Sequence, residues 1–103
     1  MKVFDITGDS YTNEIENYNG TVLIDFFSAN CMPCKMISPV IEKVADKTGT
    51  EVKVCKVDVE KERDLAKKFG IMSVPTVIVL KDGKVSNRSI GVTGEKTLLD
   101  MLR

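Results

Sequence analysis

The 103-residue chain contains no histidine and no tryptophan, and it has only three cysteines. Its 15 basic residues balance 15 acidic ones without forming a basic stripe, which argues against a nucleic-acid partner. The longest apolar runs are strand-sized and too short to cross a bilayer, and the N-terminal residues lack the pattern of a signal peptide. We therefore expect one domain over residues 1–103, soluble, monomeric, cytoplasmic and without membrane contact.

The small number of cysteines limits the possible metal chemistry. Three is an odd number, so at least one thiol cannot pair within the chain, which fits a reducing compartment better than a secreted disulfide scaffold. Zinc and iron–sulfur sites usually use four ligands, whereas this chain offers only Cys31, Cys34 and Cys55 and no histidine. We expect no metal and no bound cofactor, and a metal site is the least favoured interpretation.

The hydrophobic periodicity predicts the element order β-α-β-α-β-α-β-β-α. Helices that alternate with strands, followed by a late hairpin, indicate an α/β fold with a mixed sheet of about five strands flanked by four helices. The pair Asp82-Gly83 between the two predicted strands "PTVIVLK" and "KVSNRSIG" predicts a two-residue hairpin turn. The predicted helix boundaries are Asp9 or Ser10 as the first cap, Gly49 as the end of the second helix and Thr93 as the last cap.

The segment "NCMPCK" places two cysteines three residues apart, where an apolar strand gives way to a helical pattern. If Cys31 is the N-cap of that helix, its sulfur can accept a hydrogen bond from an amide two or three residues on. Pro33 has no amide hydrogen, so the predicted donor is the Cys34 N–H. A helix N-terminus also favours an anion. We therefore expect the Cys31 thiol to ionise below the free-cysteine pKa of about 8.5 and to act as a nucleophile.

The spacing of the two cysteines favours a disulfide that forms and breaks. Side chains three residues apart on a helix have Cβ atoms about 5–6 Å apart, whereas a disulfide requires about 3.8 Å. A bond closed with local strain is labile. The third cysteine, Cys55, lies in the alternating segment "VKVCKVDV" and is expected to be a buried apolar thiol rather than a ligand. A C-x-x-C motif at a strand-to-helix junction therefore favours redox chemistry over metal binding.

Two charged residues interrupt apolar strand patterns. Asp25 lies within "VLIDFF", where burial would raise the pKa of its carboxyl. It is either a general base for Cys34 or a carboxylate at an exposed sheet edge. Lys56 shares a predicted strand face with Val54, so it either pairs with Asp25 from the neighbouring strand or extends along the surface to solvent. The residues alone leave both questions open.

Pro75 and three methionines complete the set of candidates. Pro75 begins the predicted strand "PTVIVL", a position that strands tolerate, and general frequencies favour a trans peptide bond before it. Met32, Met36 and Met72 could form an adaptable binding surface. Because methionines at helical spacing more often fill a core, we expect Met36 to be buried.

These features together resemble the thioredoxin family over essentially the whole chain. The similarity includes "VLIDFFSANCMPCK", a proline five residues after the second cysteine, "KVDVEKERDLAKKFGIMSVPTVIVLKDGK" and "SIGVTGEKTLLDML". The resemblance implies the thioredoxin fold and thiol–disulfide exchange with disulfide-containing protein substrates, without a cofactor. It also implies that a thioredoxin reductase restores the dithiol.

The resemblance assigns a role to each matching residue. Cys31 matches the attacking cysteine and Cys34 the resolving one. Asp25 matches the buried carboxylate of the family, and Lys56 matches the lysine near it. The implied substrate surface comprises Pro75 as a cis-proline beside the dithiol, Val74 as the residue whose backbone pairs with a bound chain, Gly91 on the flat docking surface, and Met32, Pro33 and Met72.

The chain departs from the family at the motif itself. The usual pattern is Trp-Cys-Gly-Pro-Cys, and this chain has Asn30 in place of the tryptophan and Met32 in place of the glycine. Phe27 stands where another tryptophan is common. Because the residues between the cysteines influence the redox potential, we expect these changes to affect the potential and recognition by a standard NADPH-dependent thioredoxin reductase. They raise the alternative of a dedicated, non-standard reductase.

The sequence therefore predicts a protein disulfide reductase that carries electrons through the Cys31–Cys34 dithiol. Two alternatives remain open. One is a disulfide oxidant or isomerase on the same fold. The other is a non-catalytic binding module that keeps the fold and uses the altered motif as a docking surface.

Overall fold

Five segments of the chain pair into one mixed sheet in the computed structural model, which describes residues 3–103. The strands are β1 (Val3–Asp5), β2 (Thr21–Phe27), β3 (Val52–Asp58), β4 (Thr76–Lys81) and β5 (Lys84–Ile90). Their order across the sheet is β1-β3-β2-β4-β5, with β1, β3 and β2 parallel and β4 and β5 antiparallel to their neighbours. The predicted mixed sheet is confirmed.

Three helices connect these strands, and a fourth follows β5. They are α1 (Gly8–Tyr11), which continues into a π-helical turn over Thr12–Glu16, α2 (Met32–Thr48), α3 (Arg63–Lys68) and α4 (Glu95–Met101). The predicted element order is confirmed, and α2 ends at Gly49 as predicted, with a positive φ of 58°. Within residues 3–103, none of the helices has the length and apolarity that a membrane crossing requires.

Two of the predicted helix caps are wrong. Helix α1 is capped by Thr7, whose side-chain oxygen accepts a hydrogen bond from the Ser10 amide while the Thr7 amide donates to Ser10 Oγ. The N-cap of α4 is Gly94, which has no side chain to contribute. The Thr93 hydroxyl instead donates to the Gly91 carbonyl oxygen. The observed N-cap of α1 therefore precedes the predicted one by two or three residues. The observed N-cap of α4 follows the predicted one by one residue.

The sheet separates two apolar layers. One layer packs α1, the π-helical turn and α3 against the sheet, with Tyr11, Ile15, Leu65 and Phe69 contributed by those segments. The other packs α2 and α4 against the opposite face, and its helical members are Ile37, Ile41, Val44, Ala45 and Leu98. Because β2 lies at the centre of the sheet, the loop after Phe27 delivers the chain directly to the start of α2.

The β4–β5 turn is confirmed as the predicted two-residue hairpin. Asp82 and Gly83 both have positive φ angles, 52° and 82°, as a turn of type I′ requires. A Cβ atom at Gly83 would lie 2.8 Å from the backbone oxygen of Glu16. Glycine is therefore required there both for its φ angle and for close contact with the π-helical turn.

Replacement of Gly83 by alanine is expected to lower the free energy of unfolding by about 3 kcal/mol, because it adds a backbone clash to an unfavourable φ. Gly70→Ala is the matched control, since Gly70 also has a positive φ but a Cβ atom added there would meet no neighbouring segment within 4 Å; it should cost only about 1 kcal/mol. Urea unfolding measures both values. Equal losses would show that the contact with Glu16 does not matter.

Candidate active site

Helix α2 begins with a cysteine as its N-cap. Cys31 has an extended backbone (φ −107°, ψ 112°), and its Sγ accepts a hydrogen bond of 3.1 Å from the Cys34 amide. Pro33 occupies the first turn and has no amide hydrogen to offer. The predicted capping geometry, with Cys34 as donor, is confirmed. The sulfur of Cys31 therefore sits at the positively polarised end of a 17-residue helix.

The two cysteines of the motif are joined in a disulfide, with their Cα atoms 5.2 Å apart. Cys34 is buried, whereas Cys31 is partly exposed. An incoming sulfur atom can therefore approach Cys31 and not Cys34. This difference in access fits the division into an outer and an inner sulfur that thiol–disulfide exchange requires.

A loop before β4 closes over the dithiol. The Val74–Pro75 peptide bond is cis, as the family resemblance implied and contrary to the general frequency. The Val74 carbonyl oxygen lies 3.7 Å from Cys31 Sγ. The Gly91 amide donates a 2.9 Å hydrogen bond to the Pro75 carbonyl oxygen. Cys31, the loop that contains Val74 and Pro75, and Gly91 just after β5 therefore lie next to one another at the end of β2.

The buried Thr76 fixes the shape of this loop, and the sequence reasoning missed it. Its Oγ1 donates a 2.7 Å hydrogen bond to the Ser73 carbonyl oxygen across the cis bond. A threonine directly after the proline is the signal that could have identified it, since a hydroxyl can satisfy a carbonyl that the turn leaves without a backbone donor.

Exposed apolar side chains surround the dithiol. Met32 and Met72 are 66% and 94% exposed, and Pro33 is exposed as well. Met36 is 60% exposed, so the prediction that it fills the core is wrong. The buried stripe of α2 includes Cys34, Ile37 and Ile41. Met36 precedes Ile37 by one residue on a helix of 3.6 residues per turn, and its side chain lies outside that stripe.

Asp25 is a buried carboxylate in the central strand. It is 5% exposed, and no described residue forms a hydrogen bond with its Oδ1. The alternative of an exposed sheet edge is therefore wrong. Burial raises the pKa of Asp25 from 3.8 to about 7, and the positive charge of Lys56 opposes part of that rise. Near neutral pH this carboxyl can both accept and release a proton.

Lys56 lies opposite Asp25 in the parallel register of β2 and β3. Its ammonium group is 3.9 Å from Asp5 Oδ1 and 5.8 Å from the ring centre of Phe27, and its side chain is 37% exposed. The side chain thus reaches solvent, as one alternative held. The other alternative, a pair with Asp25, is wrong, because the ion pair of Lys56 is with Asp5. The positive charge of Lys56 nevertheless lowers the pKa of Asp25.

A pocket of about 200 Å³ connects the inner cysteine with the buried carboxylate. Its lining includes Asp25, Cys34, Phe27, Ser28, Ser38 and Lys56. The sequence reasoning missed the two serines. The signal for Ser38 was available, because it lies four residues after Cys34 and therefore on the same face of α2. Cys34 and Asp25 therefore line the same pocket.

Cys55 lies apart from this site in the opposite apolar layer. It is fully buried, and burial raises the pKa of its thiol to about 12. The prediction of a buried apolar thiol is confirmed. Among residues 3–103, no group of three or more cysteine, aspartate or glutamate side chains is arranged to hold a metal ion.

Comparison with known proteins gives one consistent result. A family model described as "Thioredoxin" matches residues 2–103. The thioredoxin of Bacillus subtilis (strain 168) is 38% identical over 102 residues, which cover 99% of this chain and 96% of that protein. A thioredoxin of Mycobacterium bovis is 37% identical over 94 residues, with coverage of 91% and 81%. The structure of a mutant thioredoxin from Halobacterium salinarum NRC-1 has a TM-score of 0.88 and 31% identity, with coverage of 98% and 88%.

Replacement of Asp25 by asparagine is expected to stabilise the disulfide form more at pH 8 than at pH 5. The folded chain keeps a proton on Asp25 up to about pH 7, whereas the unfolded chain releases it near pH 3.8. The stability of the parent therefore falls as the pH rises between these values and levels off above the upper one. The advantage of the variant should be about 3 kcal/mol larger at pH 8 than at pH 5.

Urea unfolding at the two pH values measures this difference. Asp64→Asn is the control, because Asp64 is exposed in the first turn of α3 and its effect should be the same at both pH values. An advantage of Asp25→Asn that does not change with pH would contradict the prediction.

Proposed function

The chain belongs to the thioredoxin family and functions in thiol–disulfide reduction, and from this premise we propose how its residues divide the reaction. Cys31 provides the attacking sulfur and Cys34 the resolving sulfur. Asp25 accepts the proton, and the positive charge of Lys56 lowers the pKa of Asp25. The observation that carries the proposal is the hydrogen bond from the Cys34 amide to Cys31 Sγ at the start of α2, because it favours negative charge on the more accessible of the two sulfurs.

The first step is attack by the reduced protein on a substrate disulfide. The Cys31 thiolate forms a bond to one substrate sulfur, and the other substrate sulfur leaves with the electron pair of the broken disulfide. The partly exposed position of Cys31 supports this order of events, since the buried Cys34 cannot be reached by a substrate. The product is a mixed disulfide between the two proteins.

The second step releases the substrate. Cys34 loses its proton towards Asp25 through the pocket that both residues line. Its sulfur attacks Cys31 Sγ, the intermolecular bond breaks, and the substrate leaves reduced while the Cys31–Cys34 disulfide closes. A carboxyl with a pKa of about 7 is suited to this role, because it is substantially ionised at neutral pH and is still basic enough to hold the proton.

Substrates bind as extended segments of protein that carry a disulfide. The proposed contact surface consists of Met32, Pro33, Met72, Val74, Pro75 and Gly91. Its support is the apolar, exposed character of the methionines and the proximity of the Val74 carbonyl to Cys31 Sγ. A groove of about 560 Å³ between α3 and Met72 adjoins this surface and offers room for the substrate chain beyond its cysteine.

The family implies disulfide-containing protein substrates and a thioredoxin reductase. We propose a finer assignment, in which the protein acts as a monomeric cytoplasmic electron carrier of one domain over residues 1–103. A reductase other than the standard NADPH-dependent enzyme restores its dithiol. The support for the reductase is the motif, since Met32 adds a large exposed side chain beside the nucleophile and Asn30 removes an aromatic contact.

A Cys34→Ser variant is expected to remain covalently attached to a disulfide substrate, because the mixed disulfide cannot be resolved. Cys31→Ser should form no such complex, since the nucleophile is absent. Non-reducing electrophoresis after incubation with insulin measures the adduct. The double variant Cys34→Ser/Cys55→Ala is the control. If the buried Cys55 takes no part, it should form the same amount of adduct as Cys34→Ser. Trapping by Cys31→Ser would reverse the assigned roles.

A Lys56→Met variant is expected to shift the pH dependence of mixed-disulfide resolution to higher pH. The positive charge of Lys56 lowers the pKa of Asp25, so its removal should delay ionisation of the proton acceptor. Rapid-mixing measurement of substrate release over about three pH units around neutrality would give the profile. Lys96→Met, on the exposed side of α4, is the control and should leave the profile in place. A shift in the opposite direction would contradict the role of Lys56.

A further inference from the structure

In the disulfide form, the exposed sulfur atoms near the active site are thioethers. The sulfurs of Cys31 and Cys34 are bonded to each other. Cys55 is fully buried, with a strongly raised thiol pKa. Within the described residues, the sulfur-containing side chains with large exposure are Met32, Met36 and Met72, whereas Met101 packs partly against the layer between the sheet and α2.

Two of these methionines flank the reactive sulfur. Met32 follows Cys31 directly, at the first position of α2. Met72 precedes Val74 by two residues, and the Val74 carbonyl oxygen is 3.7 Å from Cys31 Sγ. The two thioethers therefore lie on the two chain segments that meet at the dithiol. Met36 lies slightly more than one helical turn farther along α2, about 6 Å from the level of Met32 along the helix axis.

We propose that Met32 and Met72 are sites of reversible oxidation, and that their sulfoxides weaken the docking of partners on the active-site surface. This inference rests on the proposed function of that surface. The oxidant is a hydroperoxide. Its terminal oxygen transfers to the thioether, the O–O bond breaks, the sulfur loses two electrons to become a sulfoxide, and the peroxide is reduced to water or an alcohol.

The modification belongs to the disulfide form. In the dithiol form, a Cys31 thiolate would be the better nucleophile towards peroxide and would react first. Once the disulfide has closed, no thiolate competes at this surface, and the exposed thioethers of Met32, Met36 and Met72 are open to peroxide. Of these three, Met32 and Met72 lie on the chain segments that meet at the dithiol. The electron carrier is thus open to this modification while it waits for re-reduction.

The chemistry of the sulfoxide explains the expected effect. Oxidation converts a flexible apolar side chain into a polar one. A methionine buried at an interface contributes enough apolar contact that its loss corresponds to about a tenfold change in affinity. Methionine sulfoxide reductases reverse the modification. A dithiol donor supplies the two electrons and is oxidised to a disulfide, and the sulfoxide oxygen leaves as water. The proposed effect is therefore a temporary decrease in the rate at which partners engage the dithiol.

The test uses the full chain in its disulfide form and hydrogen peroxide as the oxidant. After the peroxide has been removed with catalase, peptide mass spectrometry locates the added oxygen. The kcat/KM for insulin reduction, with dithiothreitol as electron donor, is then compared with that of the same protein before treatment. We expect oxygen on Met32 and Met72 and a fall in kcat/KM of about tenfold in the parent.

Leucine variants assign the effect to particular residues. Leucine is apolar and cannot form a sulfoxide, and each variant is compared only with its own untreated sample. Met32→Leu/Met72→Leu should keep its kcat/KM after treatment, whereas Met36→Leu, the matched control on the same helix, should lose activity like the parent. Incubation of treated parent with the two epimer-specific methionine sulfoxide reductases, and with dithiothreitol as their electron donor, should restore the lost activity.

Three results would overturn the inference. The first is full activity in parent protein whose Met32 and Met72 carry sulfoxide. The second is equal inactivation of Met32→Leu/Met72→Leu. The third is protection by Met36→Leu alone. Untreated parent that cannot reduce insulin would instead overturn the proposed function, and the inference with it.

Discussion

Helix α2 has a sulfur atom as the acceptor at its N-terminus, where most helices place an oxygen, and the reactivity of the site depends on that single hydrogen bond. Pro33 cannot donate, so the Cys34 amide is directed to Cys31 Sγ. The helix is held in place by its apolar stripe of Ile37, Ile41 and Val44 against the sheet. The position of the sulfur beyond the end of β2 is therefore a consequence of core packing about two to four helical turns away.

The same arrangement explains why a costly residue persists in the central strand. A buried carboxylate without a hydrogen-bond partner destabilises a fold once it is ionised, and Asp25 Oδ1 has no such partner among the described residues. Lys56 relieves part of this cost by its charge, yet it keeps its ammonium group nearer to Asp5. A closer ion pair would lower the pKa of Asp25 further and make it a poorer proton acceptor for Cys34. The distance between Lys56 and Asp25 therefore keeps the Asp25 carboxylate basic, although the fold is less stable than it would be with a close ion pair.

Local chemistry predicts part of the site, because the capping role of Cys31 follows from adjacent residues and the missing amide hydrogen of proline. The burial of Asp25 depends instead on the order β1-β3-β2-β4-β5, which is set by non-local pairing. Only the family resemblance predicted the cis bond before Pro75, because the isomer of an X–Pro bond in a folded protein depends on its tertiary surroundings. Met36 fits an apolar helical pattern as well as Ile37 does, and only the direction of the sheet decides which is buried. Where a local pattern allows neighbouring solutions of similar free energy, packing of the complete chain selects one.

Because the chain has no tryptophan, the apolar contacts of the active-site surface come from other side chains. An aromatic ring gives a rigid apolar contact at little cost in side-chain entropy, whereas methionine is flexible and adapts to partners of different shape. With Asn30 beside the dithiol, most of the apolar contact next to Cys31 falls to Met32 and Met72. A carrier that must engage both a reductase and several substrates through one sulfur gains from this adaptability. The same thioethers are exposed. On the proposed docking surface, the adaptability of methionine would therefore come together with sensitivity of that surface to oxidants.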